Sequence, residues 1–447
     1  MTHRVRLHLT YARMIVLGFL TIVLLGGILL SLPIASKAGV WTPFGNALFT
    51  SVSATCVTGL VVYDTYTYWS LFGQIVILLL IQVGGLGFMT MFCSLSIILK
   101  RRISISERRL MMQSTGTMQI GGMVRMVRHI VIGTACIEGL GAIFLATRFC
   151  PILGVGRGIY YAIFHSVSAF CNAGFDLMGT FETFSSLTLF SADVVVNVVI
   201  MLLIVIGGVG FWVWEEIWYK GIHFRRYDLH AKLVLCTTAV LIFGGALLFF
   251  IFEYDHSMKG MPLGHQILAS FFQSVTPRTA GFNTVSLSQL SGAGILLMTA
   301  LMLIGGSRGS TAGGIKTTTF TTGILGVLAA ARQDNSVNVF RRRIDNTTVR
   351  QAFAISTVYL LALVLGTMAI CSMESFSLQS VLFEVASAAG TVGLTVGITP
   401  MLGLGSKIIL MVLMFGGRIG GLSLMLAVAQ RQNVVPINRP AEKIMIG

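Results

Sequence analysis

Two glycine motifs recur in the same order four times along this 447-residue chain. The first motif is a turn. It reads SVSATCVTGL from Ser51 to Leu60, SVSAFCNAGF from Ser166 to Phe175, SVTPRTAGF from Ser274 to Phe282 and ASAAGTVGL from Ala386 to Leu394. The third copy is one residue shorter than the first two. The second motif follows inside the next apolar run: VGGLGF at Val83, IGGVGF at Ile206, IGGSRG at Ile304 and FGGRIG at Phe415. Chance in a glycine-rich chain accounts for isolated GG pairs. It does not account for two motifs kept in order four times, which is the mark of an internal repeat.

The repeat is set in apolar sequence. Hydrophobic residues make up 55% of the chain and charged residues 11%, against about 25% charged in an average soluble domain. Eight runs are long enough to span a bilayer, which takes about 20 residues each. They lie near 11–33, 70–99, 128–148, 190–219, 230–252, 295–328, 350–372 and 404–429. The run after Met14 is too long for the core of a signal peptide and is read as the first span. Between the first and second runs, and again within each later pair, a short apolar stretch precedes the glycine turn. About ten residues of helix cover about 15 Å, so such a stretch enters the membrane and returns.

These features predict an all-α integral membrane protein of four helix–pore-loop–helix repeats with fourfold pseudosymmetry, eight transmembrane helices and four half-membrane pore helices. The repeats fall at 1–99, 100–219, 220–330 (with a broken second helix) and 331–429, followed by a tail at 430–447.

Charge sets the orientation. The net charge is +15, and the basic residues cluster in alternate segments. Arg4, Arg6 and Arg13 precede or open the first run. Lys100, Arg101, Arg102, Arg108, Arg109, Arg125 and Arg128 follow the second, and Lys220, Arg225, Arg226 and Lys232 the fourth. Arg332, Arg341, Arg342, Arg343 and Arg350 follow the sixth, and Arg431, Arg439 and Lys443 the last. The positive-inside rule then places both termini in the cytoplasm of a multi-pass plasma-membrane protein. These segments are short and poor in aromatics, so nucleic acid is not the expected partner; membrane lipid is. Opposed repeat halves, as in many secondary transporters of organic solutes, do not fit four repeats of one orientation. No H-E-x-x-H motif suggests an enzyme. The seven cysteines form no C-x-x-C pair and read as small buried hydrophobes.

The turns suggest cation chemistry. Backbone carbonyls can replace the water around a cation without burying a formal charge. Aiming them at one axis needs backbone angles that glycine adopts freely. Short helices whose C-terminal ends point at that axis add partial negative charge.

With CVTGL, CNAGFDL, TPRTAGFNT, GTVGLT, GSTAGGIKTTT and the closing IMIG, the whole chain resembles the potassium transporter superfamily that includes the Trk and Ktr membrane subunits and plant HKT proteins. The Ktr-type membrane subunit is the best match. The resemblance implies potassium uptake, with sodium as a candidate coupled ion, and no cofactor within the chain. It implies a selectivity filter at Val57, Thr58 and Gly59; Asn172, Ala173 and Gly174; Thr279, Ala280 and Gly281; and Thr391, Val392 and Gly393. Relatives with serine in the first turn tend to admit sodium, so glycine in all four implies potassium preference. A sodium-permeable cation pore is the alternative. A homodimer on a cytoplasmic nucleotide-binding ring, of the KtrA or TrkA kind, is also implied, with the basic segments and the tail as contact surfaces.

Other residues leave two readings open. Asp176, just past the second turn, either draws cations to the mouth or caps a turn through its own backbone. The sixth run is interrupted by Gly305, Gly306, Ser307, Arg308, Gly309, Ser310, Thr311, Ala312, Gly313 and Gly314, ahead of Lys316. So many glycines do not hold a helix, at about 1 kcal/mol each against alanine. The segment fails the phosphate-loop pattern, because Ile315 separates Gly314 from Lys316 and no strand precedes it. The resemblance makes it a gating loop under the filter. Arg308 stands where the family usually has proline, and either repels the permeating ion or pairs with an acid. Lys316 either snorkels to water or makes a gating contact. Arg418, in the last run with Gly417 and Gly421 beside it, is an intramembrane cation that needs a role. It is either an electrostatic barrier or a hydrogen-bond donor to loop carbonyls.

Overall fold

A computed structural model describes residues 11–87, 90–91 and 123–420. Arg4, Arg6, Lys100, Arg101, Arg102, Arg108, Arg109, Gly421 and the tail at 430–447 lie outside the described residues, as do the far ends of the runs at 70–99 and 404–429.

The described chain is helical, with one pattern repeated four times. A long helix comes first: α1 (Tyr11–Ser31), α4 (Met123–Leu153), α8 (Leu229–Glu253) and α12 (Asn346–Met373). A short helix follows: α2 (Phe44–Thr55), α5 (Val155–Phe170), α9 (Leu263–Val275) and α13 (Leu378–Gly390). A third helix closes each unit: α3 (Leu71–Leu86), α6 (Val194–Val209), α10 (Gly292–Leu303) and α14 (Leu404–Ile419). After the second unit comes α7 (Phe211–Lys220), and after the third α11 (Thr317–Ala331).

The four long helices are apolar and long enough to cross a membrane, yet at most a third of each apolar window is buried within the protein. Leu24, Leu25 and Ile28 of α1 and Leu140, Ile143 and Phe144 of α4 face outward. An apolar outer surface of this extent calls for an apolar solvent.

Local sequence sets where the helices start. Ser70 accepts from the Gly73 amide (3.3 Å) to begin α3, and Ser291 from that of Gly294 (3.0 Å) to begin α10. Asp193 accepts from Val195 (3.0 Å) and Val196 (3.1 Å) to begin α6. Such caps satisfy amides that have no partner inside the helix.

The units close on one another. Each short helix packs between the long helix before it and the third helix after it. Each third helix also packs on the short helix of the next unit: α3 on α5, α6 on α9, α10 on α13, and α14 back on α2. This cyclic order places the ends of the four short helices together.

The second glycine motif has a packing cause. A Cβ on Gly84 would strike the Thr55 carbonyl, one on Gly207 the Phe170 carbonyl, and one on Gly417 the Ala389 carbonyl. Only a residue without a side chain lets the third helix lie against the end of the short helix.

One expectation needs correction. The run at 190–219 is not one straight span. It breaks at Gly210 (φ 101°, ψ 142°), and α6 and α7 meet at 93°. Breaks of the same conformation end α3 at Gly87 (φ 84°) and α14 at Gly420 (φ 87°). The third helix therefore ends at a glycine of the motif in the first, second and fourth units, not in the sixth run alone. After the Gly210 break the Phe211 amide is satisfied by the Gly309 carbonyl at 2.8 Å. Beyond it, Lys220 bonds Glu216 (2.9 Å) and Asp228 (3.3 Å), which holds the ammonium above its ordinary pKa. The basic segment after α11 adds a short β-hairpin to the otherwise helical chain. Strands β1 (Val337–Val339) and β2 (Arg342–Ile344) pair antiparallel. Phe340 and Arg341 turn between them in the left-handed region, as two-residue hairpin turns require.

Replacing Gly207 with valine is expected to destabilise the protein by about 2 kcal/mol or more, in the range of overpacked cores. The check is membrane yield and melting temperature in detergent. A variant as stable as the parent would contradict the packing account.

Candidate functional site: a ring of four glycine turns

The short helices end in four turns of one design. Each turn begins with a non-glycine residue in the left-handed region: Val57 (φ 57°), Asn172 (φ 59°), Thr279 (φ 75°) and Thr391 (φ 52°). Two residues on comes a left-handed glycine: Gly59 (φ 91°), Gly174 (φ 69°), Gly281 (φ 82°) or Gly393 (φ 93°). Left-handed backbone at β-branched Val57, Thr279 and Thr391 is strained, and such strain persists only where surrounding contacts impose it.

Those contacts come from the short helices. The amides of Thr58, Ala173, Ala280 and Val392 bond back to the carbonyls of Ser53 (2.8 Å), Ser168 (2.7 Å), Thr276 (2.9 Å) and Ser387 (2.8 Å). The same four hydroxyl side chains brace the turns. Ser53 and Ser387 each accept from the turn-glycine amide at 3.0 Å. Ser168 donates to the Phe175 carbonyl (2.7 Å) and Thr276 to that of Phe282 (2.6 Å).

The four turns meet in a closed ring. A Cβ on Gly59 would sit 2.5 Å from the Ala173 carbonyl oxygen, and one on Gly174 would sit 2.7 Å from that of Ala280. A Cβ on Gly281 would be 2.5 Å from the Val392 carbonyl oxygen, and one on Gly393 would strike that of Thr58. Each glycine thus faces the carbonyl of the next turn, and the fourth faces the first. All twelve residues of the four triplets are buried.

Oxygen is the donor the ring offers. The hydroxyls of Thr55, Thr58, Thr279 and Thr391 are buried without a hydrogen-bond partner among the described residues. No group of His, Cys, Asp and Glu able to hold a metal ion occurs among the described residues. Uncharged oxygens brought together from four turns suit a large monovalent cation stripped of water. On the side where the chain leaves the turns, a cavity of about 520 Å³ opens, with Val61, Glu182, Asn283, Thr284 and Thr395 in its wall.

A second set of polar residues escaped the sequence reading. Thr50, His165 and Glu384 lie nine residues before their turn glycines, and Gln273 lies eight before its own in the shorter third turn. All four are almost wholly buried. Thr50 donates to the Asn46 carbonyl (3.1 Å). His165 Nδ1 bonds the Tyr161 carbonyl (2.7 Å), and its Nε2 accepts from the Leu177 amide (3.3 Å). Glu384 accepts from Thr395 and from Thr399 (3.0 Å). Gln273 has no hydrogen-bond partner among the described residues. Their shared offset from the glycine was the available signal. Asp176 accepts from the amide of Met178, two residues on, at 2.9 Å, which is the turn-capping role of its two readings.

Below the ring lies the segment between α10 and α11. It crosses back on itself, Gly305 donating to the Ile315 carbonyl (2.9 Å) and Ile315 to that of Leu303 (3.2 Å). Ser307 donates to the Gly208 carbonyl (2.9 Å) and Thr311 to that of Gly207 (3.3 Å), which docks the segment on the end of α6. The Thr311 hydroxyl also reaches the Phe170 carbonyl (3.1 Å), and a Cβ on Gly313 would strike Thr391 of the fourth turn. Ser307 and Thr317 pair through their hydroxyls (2.9 Å), and Ser310 bonds the Ser307 carbonyl (2.7 Å). Lys316 folds over its own loop, donating to the carbonyls of Ala312 (2.7 Å) and Gly313 (3.3 Å). Gly306, Ala312 and Gly314 are buried, whereas Arg308 is exposed and makes no ion pair among the described residues. Arg418 donates to the Thr311 carbonyl and to those of Gly84 and Gly85, the last at 2.8 Å. It joins the loop to α3.

A ring of uncharged backbone oxygens at the centre of a helical protein with an apolar belt defines a cation-transport membrane protein. The chain belongs to the TrkH family: the family model described as a cation transport protein matches residues 35–435. It is 38% identical to the potassium/sodium uptake protein NtpJ of Enterococcus hirae, covering 100% of this chain and 99% of that one. It is 38% identical to the Ktr system potassium uptake protein B of Bacillus subtilis, over 95% and 94% of the two chains. The fold matches the potassium transporter TrkH of Vibrio parahaemolyticus with a TM-score of 0.71 at 18% identity, over 96% of this chain and 87% of that one.

Replacing Ser53 and Ser387 together with alanine removes both acceptors for the turn-glycine amides. The expected cost is about 1–3 kcal/mol per orphaned amide, read as a lower melting temperature in detergent. An unchanged melting temperature would show that the hydroxyls do not brace the ring.

Proposed function

We propose that the chain takes up potassium across the plasma membrane through a channel-like pore formed by one polypeptide. The observation that carries this reading is the closed ring of Gly59, Gly174, Gly281 and Gly393, each against a carbonyl of the next turn. In this reading each unit contributes two membrane crossings and one half-membrane helix, eight and four in all, around a pseudo-fourfold axis. The carbonyl and hydroxyl oxygens of the twelve turn residues replace the ion's water. The C-terminal ends of α2, α5, α9 and α13 favour a cation where they converge. Both termini lie in the cytoplasm, where the basic segments concentrate.

The loop from Gly305 to Gly314 is the gate in this reading. It lies in van der Waals contact with the fourth turn and must leave for ions to pass. Small residues let it pack there. Arg418 holds it shut by bonding Thr311 on one side and α3 on the other, and its charge repels a cation below the ring. Opening exchanges those bonds for water.

The Ktr-system relative supports a further proposal, that the chain works as a homodimer with a separate cytoplasmic nucleotide-binding subunit. The name of the Enterococcus hirae relative makes sodium the second ion to test, as a coupled or permeating species.

Expression in a potassium-uptake-deficient bacterium is expected to restore growth on low potassium; failure at normal membrane levels would overturn the function. Gly281→Ser is expected to weaken potassium selectivity, since the added side chain meets the Val392 carbonyl. Unchanged potassium and sodium uptake would sink the filter assignment. Deleting Gly309 to Gly313 removes the obstruction, and replacing Arg418 with glutamine loses a charge-assisted hydrogen bond worth about 1.5–3 kcal/mol; each is expected to raise flux about tenfold or more. Flux at the parent level in both would argue that the segment is only a structural break.

A further inference from the structure

The fourfold repeat serves as an internal control. Where one unit departs from the other three, the fold alone does not require the departure. One such place lies between the first and second units, just outside the ring.

A serine in the C-terminal half of the short helix bonds a carbonyl of the preceding long helix in three units. Ser51 donates to Val23 (2.7 Å), Ser166 to Glu138 (2.6 Å) and Ser274 to Ile242 (2.7 Å). The glycine three residues on, Gly26, Gly141 or Gly245, makes room for that hydroxyl. Val23, Glu138 and Ile242 are therefore equivalent, and only the second unit places a carboxylate there. Its partner is also out of pattern. Gln82 lies two residues before Gly84, whose equivalents by packing are Gly207 and Gly417. The matching positions hold Val205 and Phe415.

These two departures meet each other. Gln82 Nε2 donates to Glu138 Oε2 at 3.2 Å. The Cys171 thiol lies 3.5 Å from Gln82 Oε1 and 3.9 Å from Glu138 Oε1, and donates to them. Cys171 caps α5 and directly precedes Asn172, the left-handed residue that opens the second turn. Glu138 is 9% exposed and has no ion-pair partner among the described residues. Arg418 bonds the Gly84 and Gly85 carbonyls on the adjoining part of α3, without an ion pair to Glu138. A carboxylate in a membrane protein's interior is costly, and the two equivalent positions, Val23 and Ile242, do without one.

We infer that Glu138 is a positioning residue for the second turn: by accepting from Gln82 and Cys171 it fixes how α5 delivers Asn172, Ala173 and Gly174 to the ring, and so helps set which cation passes. It acts through Cys171 and Gln82 and does not touch the ion. The inference rests on the pore reading above.

The test is rubidium uptake into proteoliposomes, with competition by sodium, for four proteins: the parent, Glu138→Gln, Gln82→Met, and the exchange of both residues (Glu138→Gln with Gln82→Glu). Glu138→Gln turns an acceptor into a group with its own N–H₂ facing two donors. Its rubidium-over-sodium preference is expected to fall roughly tenfold, the scale of one lost hydrogen bond to a charged group. Gln82→Met removes one donor at a half-buried position, with an expected fall of roughly threefold, the scale of one ordinary hydrogen bond. The exchange restores an acceptor, an amide donor and the net charge, and is expected to return the preference to about the parent value. A merely space-filling role does not predict that rescue. The inference is overturned if Glu138→Gln and Gln82→Met both keep the parent preference. It is equally overturned if the exchange does no better than Glu138→Gln at equal membrane yield. If Glu138→Gln does not accumulate, Gln82→Met and the exchange decide it alone. A parent protein that takes up no rubidium would instead remove the pore reading, and this inference with it.

Discussion

The structure depends on how closely four backbones can approach. At the ring, each turn glycine lies against a carbonyl of the next turn, with no room for a Cβ. Away from it, Gly84, Gly207 and Gly417 bring the third helices against the carbonyl ends of the short helices. These are one constraint met twice, since the ring closes only if the helices that carry it lie close together. The cost is strain, at three β-branched residues held in left-handed backbone. It is offset by backbone bonds within each turn and by a hydroxyl brace in every unit. Dispersion between close backbones and the burial of the short helices supply the rest.

Much of this was legible in the sequence. The paired glycine motifs located every turn and the third helix that follows it, because a missing side chain leaves a mark that does not depend on its neighbours. Apolar run length located the long helices for the same reason. What could not be read was where a chain satisfies its backbone after a break. The bend at Gly210 looks in sequence like the continuation of an apolar span, since Phe211 to Trp214 remain apolar. It exists because the Phe211 amide finds the Gly309 carbonyl, a partner some hundred positions away. The hairpin at 337–344 was hidden by its charged composition. Thr50, His165, Gln273 and Glu384 were missed because they share a position and no chemistry.

The roles of single charged residues were the least legible. Asp176 satisfies a local amide, and Lys316 satisfies carbonyls of its own loop. Arg418 spends its guanidinium on three carbonyls from two separate segments. Its hydrogen-bonding reading is the one seen in the geometry, and the barrier reading is compatible with it, because the bonded charge remains below the ring. Arg308, the departure from the usual family pattern, faces outward and leaves the packing of the loop to its small neighbours. The fourfold repeat thus supplies the scaffold. The asymmetric residues, among them Arg418 and Glu138, are where the units differ in what they bond.

The central claim is that the ring holds a dehydrated monovalent cation. Crystals of the protein grown in rubidium and measured for anomalous scattering test it most directly. The account predicts a peak on the axis of the ring, within coordination distance of the carbonyl oxygens of Thr58, Ala173, Ala280 and Val392, that weakens when potassium replaces rubidium. A ring without anomalous density, in crystals that show rubidium elsewhere, would contradict it.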